Sequence, residues 1–140
     1  MSHAYSAYDG PPPRTFEEAM AALEAMDTAY ESEQPPTATI RAFVDALLAR
    51  WPDISDEQGE QSPWSDGPMV NNAAGSVIHF GVVYSRLDEA EPFVVETARH
   101  HGLVLVDQEE GRVLVPGGIP PRNDELATSQ PKRRWFRRRR

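Results

Sequence analysis

The chain has 140 residues, a hydrophobic content of 39%, no cysteine and a formal net charge of −8 at pH 7. The length suits one domain with a single core, and the absence of cysteine excludes disulfides, thiol catalysis and thiolate metal sites. No apolar run approaches the length of a membrane-spanning helix and no signal-peptide pattern is visible, so we expect a cytoplasmic protein that is not an integral membrane protein.

The first third of the chain predicts a leader followed by two helices. Residues 1–14 lack periodicity and contain three consecutive prolines, which indicates a disordered leader. The segment 15–33 begins with a capping box and then places apolar residues every three or four positions, so a first helix should lie here. A second helix should begin after a cap at Thr37 or Thr39 and end before Pro52.

A long acidic loop is predicted for residues 53–75. Its acids do not form a calcium-binding loop, because Gly59 comes one place too late for the required turn. Trp64 lies between turn-forming residues and is either a plug that holds the loop against the core or an anchor for a partner, since tryptophan is enriched among binding hot spots. The predicted partner-binding residues of this loop are Asp53, Asp56, Glu57, Glu60, Trp64 and Asp66.

The second half of the chain predicts strands around one helix. Residues 76–85 are rich in β-branched and aromatic side chains and largely apolar on both faces, which predicts a central strand. A short helix should follow, with Asp88 as its cap and Gly102 just beyond its end. Residues 103–107 and 112–115 should then form a hairpin around a Glu-Glu-Gly turn.

This element order predicts an α+β fold with two N-terminal helices followed by strand, helix, strand and strand. The first two strands, joined through a helix, should be parallel with a right-handed crossover, and the third should add antiparallel. The result would be a small three-stranded mixed sheet covered by helices. Residues 15–116 would form this single domain, followed by a linker at 117–130 and a basic aromatic tail at 131–140.

The charge of the chain is divided between a body and a tail. Seven of the fourteen basic residues lie in the last nine positions, which leaves seven basic against 22 acidic residues elsewhere, a formal charge of −15. The body should attract basic surfaces and the tail nucleic acid or anionic lipid, unless the tail folds back on the body. The tail residues that would contact nucleic acid or membrane are Lys132, Arg133, Arg134, Trp135, Phe136, Arg137, Arg138, Arg139 and Arg140.

Patterns that carry enzyme chemistry are weak. His100 and His101 are adjacent in a predicted helix, so their side chains diverge by about 100° and cannot easily bind one metal ion. No serine lies in a nucleophile elbow, and no glycine-rich loop precedes a helix. Although His79, Asp66 and Asp107 could converge in space, nothing in the sequence selects them. We therefore expect no catalytic residue, no metal site and no cofactor.

Three segments together resemble a set of small uncharacterised bacterial proteins, mainly from actinobacteria. The segments are "RWPDISD", "SPWSDGP" and "TARHHGLVLVDQ", which contain the shared patterns PW-x-x-GP and A-x-x-HGL-x-x-x-D. The resemblance covers roughly residues 16–116 and omits both ends. It implies a single compact domain and carries over no functional residue.

These observations predict a non-catalytic acidic module that binds a basic protein. Its sharpest form is an inhibitor or immunity-like partner of a basic toxin, because an acidic face can steer onto a cationic groove and occlude it. Two alternatives remain open. One is an adaptor that its tail anchors to nucleic acid or anionic membrane, and the other is a small enzyme of unknown reaction.

Overall fold

The computed structural model describes residues 2–53, 62–65 and 67–116. The predicted linker and tail, like Asp56, Glu57, Glu60 and Asp66 of the acidic loop, lie outside these residues. The described residues form five strands and four α-helices, with short 3-10 helices at Met69–Asn72 and Tyr84–Arg86. In chain order they are β1 (Ser2–Tyr8), α1 (Phe16–Met26), α2 (Thr28–Glu31), α3 (Ala38–Arg50), β2 (Ala73–Ala74), β3 (Val77–Val83), α4 (Leu87–His100), β4 (Val104–Asp107) and β5 (Arg112–Leu114).

The strands form one antiparallel sheet in the order β2-β3-β1-β4-β5. Strand β1 pairs along its whole length with β3, from Ser2 opposite Val83 to Tyr8 opposite Val77. Its other edge pairs with β4, and β5 continues the sheet as the predicted hairpin partner of β4. The α+β class is confirmed, but the three-stranded mixed sheet is wrong. The strands β3 and β4 do run parallel to each other, yet β1 lies between them.

The segment predicted as a disordered leader supplies this central strand. Along β1, His3, Tyr5 and Ala7 point to one face of the sheet, while the intervening residues point to the other. A strand of small and polar residues has little stability of its own. It is held here because both of its edges are hydrogen-bonded and because Tyr5 and Tyr8 are buried.

Helices cover both faces of the sheet, but unequally. On one face α3 and α4 pack over β1, β3 and β4, with the helix side chains Phe43, Leu47 and Val94 fully buried. On the other face α1 places Ala19 and Leu23 against part of the sheet. The protein therefore has a large core on one side of the sheet and a smaller one on the other.

The local helix signals agree with the structure except at two places. The first is the single helix predicted for residues 15–33, which is divided at Asp27 into α1 and α2. The Thr15 side chain accepts the Glu18 backbone N–H at 3.0 Å, and Thr37 accepts the Ile40 N–H at 3.3 Å, as their capping positions predict. Asp88, predicted as a cap, lies instead in the first turn of α4, which begins at Leu87 without a side-chain cap. No helix of the described residues is long and apolar enough to cross a membrane.

Candidate binding cleft

Two predicted partner-binding residues are buried, which removes them from the surface. Trp64 is fully buried in the larger core, and its indole N–H donates to the Trp51 carbonyl at 3.1 Å. Asp53 is also buried, and its carboxylate accepts the Met69 backbone N–H at 2.9 Å. Trp64 is thus the plug of the first interpretation. As an exposed anchor it is a wrong prediction, because its whole side chain is enclosed by the core.

An open cleft lies instead between α1 and the part of the sheet that α1 leaves uncovered. Its volume is about 1190 Å³. The residues that line it come from α1, β1, β3 and the adjoining loops: Ser2, Ala4, Tyr5, Phe16, Glu17, Met20, Ala21, Leu23, Glu24, Asp27, Ser65, Asn72, His79, Phe80, Gly81, Val83 and Gln108. The structure therefore offers a concave surface large enough for an extended peptide segment.

Small side chains on neighbouring strands make the floor of this cleft. Ala4 lies opposite Gly81, so two short side chains occupy adjacent positions on the same face. A Cβ at Gly81 would come within 2.4 Å of Ser65 Oγ, because Ser65 lies across the strand and donates its backbone N–H to the Gly81 carbonyl at 3.0 Å. Ser65 therefore packs directly on Gly81, which is buried, and the partly exposed Ala4 beside it forms the accessible floor of the cleft.

The wall formed by α1 is acidic. Glu17 and Glu24 are exposed along the cleft, and Asp27 follows at the end of the helix. None of the described residues that line the cleft is a lysine or an arginine. Within the segment 17–33 there are six acidic residues and no basic one. The cleft therefore combines apolar surface, from Phe16 and Met20, with an uncompensated negative charge.

A polar chain crosses the cleft from the sheet to α1. The Gln108 side-chain amide donates to Ser6 Oγ at 2.5 Å, and Ser6 Oγ lies 2.6 Å from His79 Nδ1. His79 Nε2 lies 3.2 Å from Asp27 Oδ1. Because Gln108 is a donor, the consistent arrangement has Ser6 donating to Nδ1 and His79 donating from Nε2 to Asp27. This chain fixes the ring of His79, which also stacks on Tyr30.

The residue types of this chain match a serine hydrolase triad, but their exposure is reversed. In a nucleophilic triad the serine is accessible and the carboxylate is buried. Here Ser6 is 0% exposed, whereas the side chain of Asp27 is 52% exposed. Ser6 cannot approach a substrate in this arrangement. The chain is therefore suited to holding His79 and Asp27 in the cleft wall.

A second cluster of charged residues lies near the sheet's other face and joins β1 to β4, β5 and α4. His3 Nε2 lies 2.6 Å from Asp107 Oδ1, and the Arg112 guanidinium lies 2.7 Å from both Asp107 Oδ2 and Glu91 Oε2. The Tyr5 hydroxyl donates to Glu91. Asp107 also accepts the backbone N–H groups of the following turn at 3.2 and 3.0 Å. These contacts fasten the central strand to the hairpin.

Opposing effects set the pKa values of His3 and Asp107. Burial by itself lowers the pKa of His3, but the hydrogen bond to Asp107 and the negative charges around it raise that pKa above its ordinary value. Burial by itself raises the pKa of Asp107, but the hydrogen bond to His3 and the charges of Arg112 and His3 lower it below its ordinary value. The buried pair is therefore stabilised in its charged form.

Three residues of this cluster could in principle hold a metal ion. Ligand atoms of His3, Glu91 and Asp107 lie within 4.8 Å of one another. The Arg112 guanidinium, however, already contacts both carboxylates and supplies the positive charge that they require. The cluster is thus a satisfied ion network. The sequence did not reveal it, because His3 belongs to the segment predicted as a leader.

Comparisons with known proteins identified no relative of this chain. A scan against protein-family models, a search of curated proteins and a search of solved structures found no match to this chain. The resemblance to small actinobacterial proteins accordingly stays a prediction from the sequence. The candidate site is therefore inferred from the shape and charge of the cleft alone.

Proposed function

We propose that this protein is a non-catalytic acidic module that binds a basic segment of a partner protein in the cleft between α1 and the sheet. The observation that carries the proposal is the combination of apolar surface from α1, a wall with Glu17, Glu24 and Asp27, and the absence of lysine and arginine among the described residues that line the cleft. An inhibitor or immunity-like role towards a basic protein is the form of this function that we favour.

The chemistry of the cleft suits arginine and lysine side chains. These side chains can lay their aliphatic stems on apolar surface such as Phe16 and Met20, while the charged heads reach a carboxylate. Planar guanidinium groups pair especially well with carboxylates. An extended basic peptide could place successive side chains along Glu17 and Glu24, which lie two helical turns apart on one face of α1.

The charge of the remaining body supports the same partner. Outside the last nine residues the formal charge is −15, so a basic protein is attracted from a distance and an acidic one is repelled. Such steering accelerates association and is weakened by salt. Burial of Ser6 weighs against a hydrolase that uses the Ser6, His79 and Asp27 chain. Binding is therefore the function that the geometry favours over catalysis.

The test compares two pairs of charge-neutralising substitutions. The variant E17Q/E24Q removes two carboxylates from the cleft wall, and the control D45N/D88N removes two exposed carboxylates from α3 and α4 on the other side of the sheet. Both pairs change the net charge equally. Binding of a labelled oligoarginine peptide is measured by fluorescence anisotropy in full-length protein that carries R137Q, R138Q, R139Q and R140Q, so that competition from the protein's own terminal arginines is reduced.

We expect E17Q/E24Q to weaken binding about three- to tenfold, because each exposed ion pair contributes about 0.2–1 kcal/mol. The control pair should change the affinity by less than about twofold, since its carboxylates act only through the screened long-range field. Equal losses in the two variants would show that net charge, and not the cleft, attracts the peptide. Absence of binding in the parent protein would overturn the proposal.

A further inference from the structure

We propose that the chain's own basic tail, residues 131–140, occupies this cleft and competes there with the partner. The inference rests on the proposed function of the cleft and adds a mechanism that regulates it. The protein would then be self-occupied when alone, and a partner would have to displace the tail in order to bind.

The tail has the chemistry that the cleft requires. It carries seven cationic side chains together with Trp135 and Phe136, and it contains no acidic residue. The cleft offers exposed Glu17 and Glu24 beside the apolar surface of Phe16. Arginine can pair with the carboxylates while an aromatic ring covers apolar surface, so both features of the tail have a counterpart in the cleft.

The tail also starts close enough to reach the cleft. Strand β5 packs under α1, since Val113 belongs to the same small core as Ala19 and Leu23. From Pro116 the fourteen residues 117–130 lead to the tail. That length of chain spans up to about 50 Å when fully extended. A folded domain of this size is about 30 Å across, so the tail can reach the far side of α1.

Tethering makes even a weak contact effective. Two sites joined by a short linker experience an effective concentration of about 1 mM. With an intrinsic dissociation constant of about 0.1 mM, the tail would occupy the cleft about 90% of the time and weaken a competing ligand about tenfold. Wild-type protein should therefore bind the oligoarginine peptide about tenfold more weakly than the protein that carries R137Q, R138Q, R139Q and R140Q.

A direct test combines a spin label on an introduced cysteine with the indole N–H signal of a tryptophan in the tail. The chain has no cysteine, so a single Ala25→Cys substitution on the exposed side of α1 accepts one spin label, and Ala42→Cys on α3 is the matched label on the other side of the sheet. The chain has three tryptophans, of which Trp51 and Trp64 are buried. The indole N–H signal of Trp135, assigned by its loss in W135F, reports on the tail.

We expect the label at position 25 to broaden the Trp135 signal strongly and the label at position 42 to leave it largely intact. Adding E17Q/E24Q should lower the occupancy of the cleft by the tail from about 90% to about 50–77% and weaken the broadening accordingly. The control D45N/D88N should leave the broadening unchanged, and excess oligoarginine peptide should restore the signal. A Trp135 signal that both labels affect equally, or whose broadening E17Q/E24Q does not reduce, would overturn the inference. With the spin label chemically reduced, the signals of Trp51 and Trp64 should be the same in all these variants, which controls for folding.

Two binding measurements separate this inference from the function on which it rests. If wild-type protein and the R137Q/R138Q/R139Q/R140Q protein bind oligoarginine equally well, and E17Q/E24Q weakens both, the cleft binds basic segments but the tail does not regulate it. If the tail is held, E17Q/E24Q should also increase the binding of labelled RNA, because it frees the tail. RNA binding that is equally tight in wild type and in E17Q/E24Q would mean a free tail and would overturn the inference.

Discussion

The two faces of the sheet differ in how completely helices cover them. On one face α3 and α4 close the core, and Trp64, Tyr5 and Phe43 are no more than 1% exposed. On the other face α1 covers the region of Tyr8 but leaves Ala4 and His79 partly exposed along the cleft. The larger core and the proposed binding surface therefore lie on opposite sides of the same strands. Substitutions on the two faces should accordingly change different measured quantities.

The largest expected effect is on the closed face. Replacing Trp64 by Ala removes a fully buried side chain and its hydrogen bond to the Trp51 carbonyl. We expect the free energy of unfolding to fall by about 3–5 kcal/mol, as for other buried aromatic residues. Denaturant unfolding measures this loss. As the control, Glu17→Ala on the open face should change stability by less than about 0.5 kcal/mol, and comparable losses would contradict the division between the faces.

The next effect concerns the buried ion network. Asp107→Asn keeps the shape of the side chain but removes the charge that His3 and Arg112 share. We expect a loss of about 3 kcal/mol in the free energy of unfolding, because breaking a buried ion pair leaves the partner charge uncompensated. Glu109→Gln, at a partly exposed residue of the adjacent turn, is the control and should cost far less. Equal effects of the two substitutions would mean that the buried pairing of Asp107 contributes no more than an exposed charge does.

The same network predicts a pH dependence. The folded protein holds the pKa of His3 above its ordinary value, so the folded state binds this proton more tightly than the unfolded state does. The stabilisation is fully present below about pH 6.5 and is lost as the pH rises through the raised pKa. Unfolding free energies measured across this range should decline in wild-type protein and decline less in His3→Gln. Parallel curves for wild-type protein and His3→Gln would show that the decline comes from other titrating groups.

The smallest expected effect lies beneath α1. The Tyr8 hydroxyl is buried and has no hydrogen-bond partner among the described residues, and its burial raises the pKa of Tyr8 to about 12. Tyr8→Phe removes this unsatisfied group and should increase the free energy of unfolding by about 1 kcal/mol. Tyr5→Phe is the matched control, because the Tyr5 hydroxyl donates to Glu91 and its removal should decrease stability. A decrease in both variants would show that Tyr8 has a partner.

Local signals predicted many of the elements. The Thr37 cap, the helix that follows it and the hairpin around the Glu-Glu-Gly turn depend on residues close together in the chain, so short-range spacing suffices to recognise them. The alternation of side chains along β3 was also predicted from the sequence. Its two sets of side chains do face the two cores. Strand β1 could not be recognised this way. Its pairing partners lie about 70 to 100 positions further along the chain.

The candidate site was harder to predict than the fold. Acidic charge in the loop 53–66 suggested an exposed surface, but Asp53 faces inwards to accept a backbone N–H, and Trp64 fills the core. The cleft, in contrast, depends on which strands lie side by side next to α1. A glycine and an alanine become significant only when strand pairing places Ala4 opposite Gly81. No pattern within a short window contains that information.

Composition and local patterns established an acidic, cysteine-free α+β chain with a basic end, because charge and short-range periodicity are properties of neighbouring residues. The order of the strands, the buried contact of His3 with Asp107 and the open half of the sheet were decided only by tertiary structure. These features require residues that are distant in the chain to meet, and their free energy comes from pairing and burial that exist only once the chain has folded.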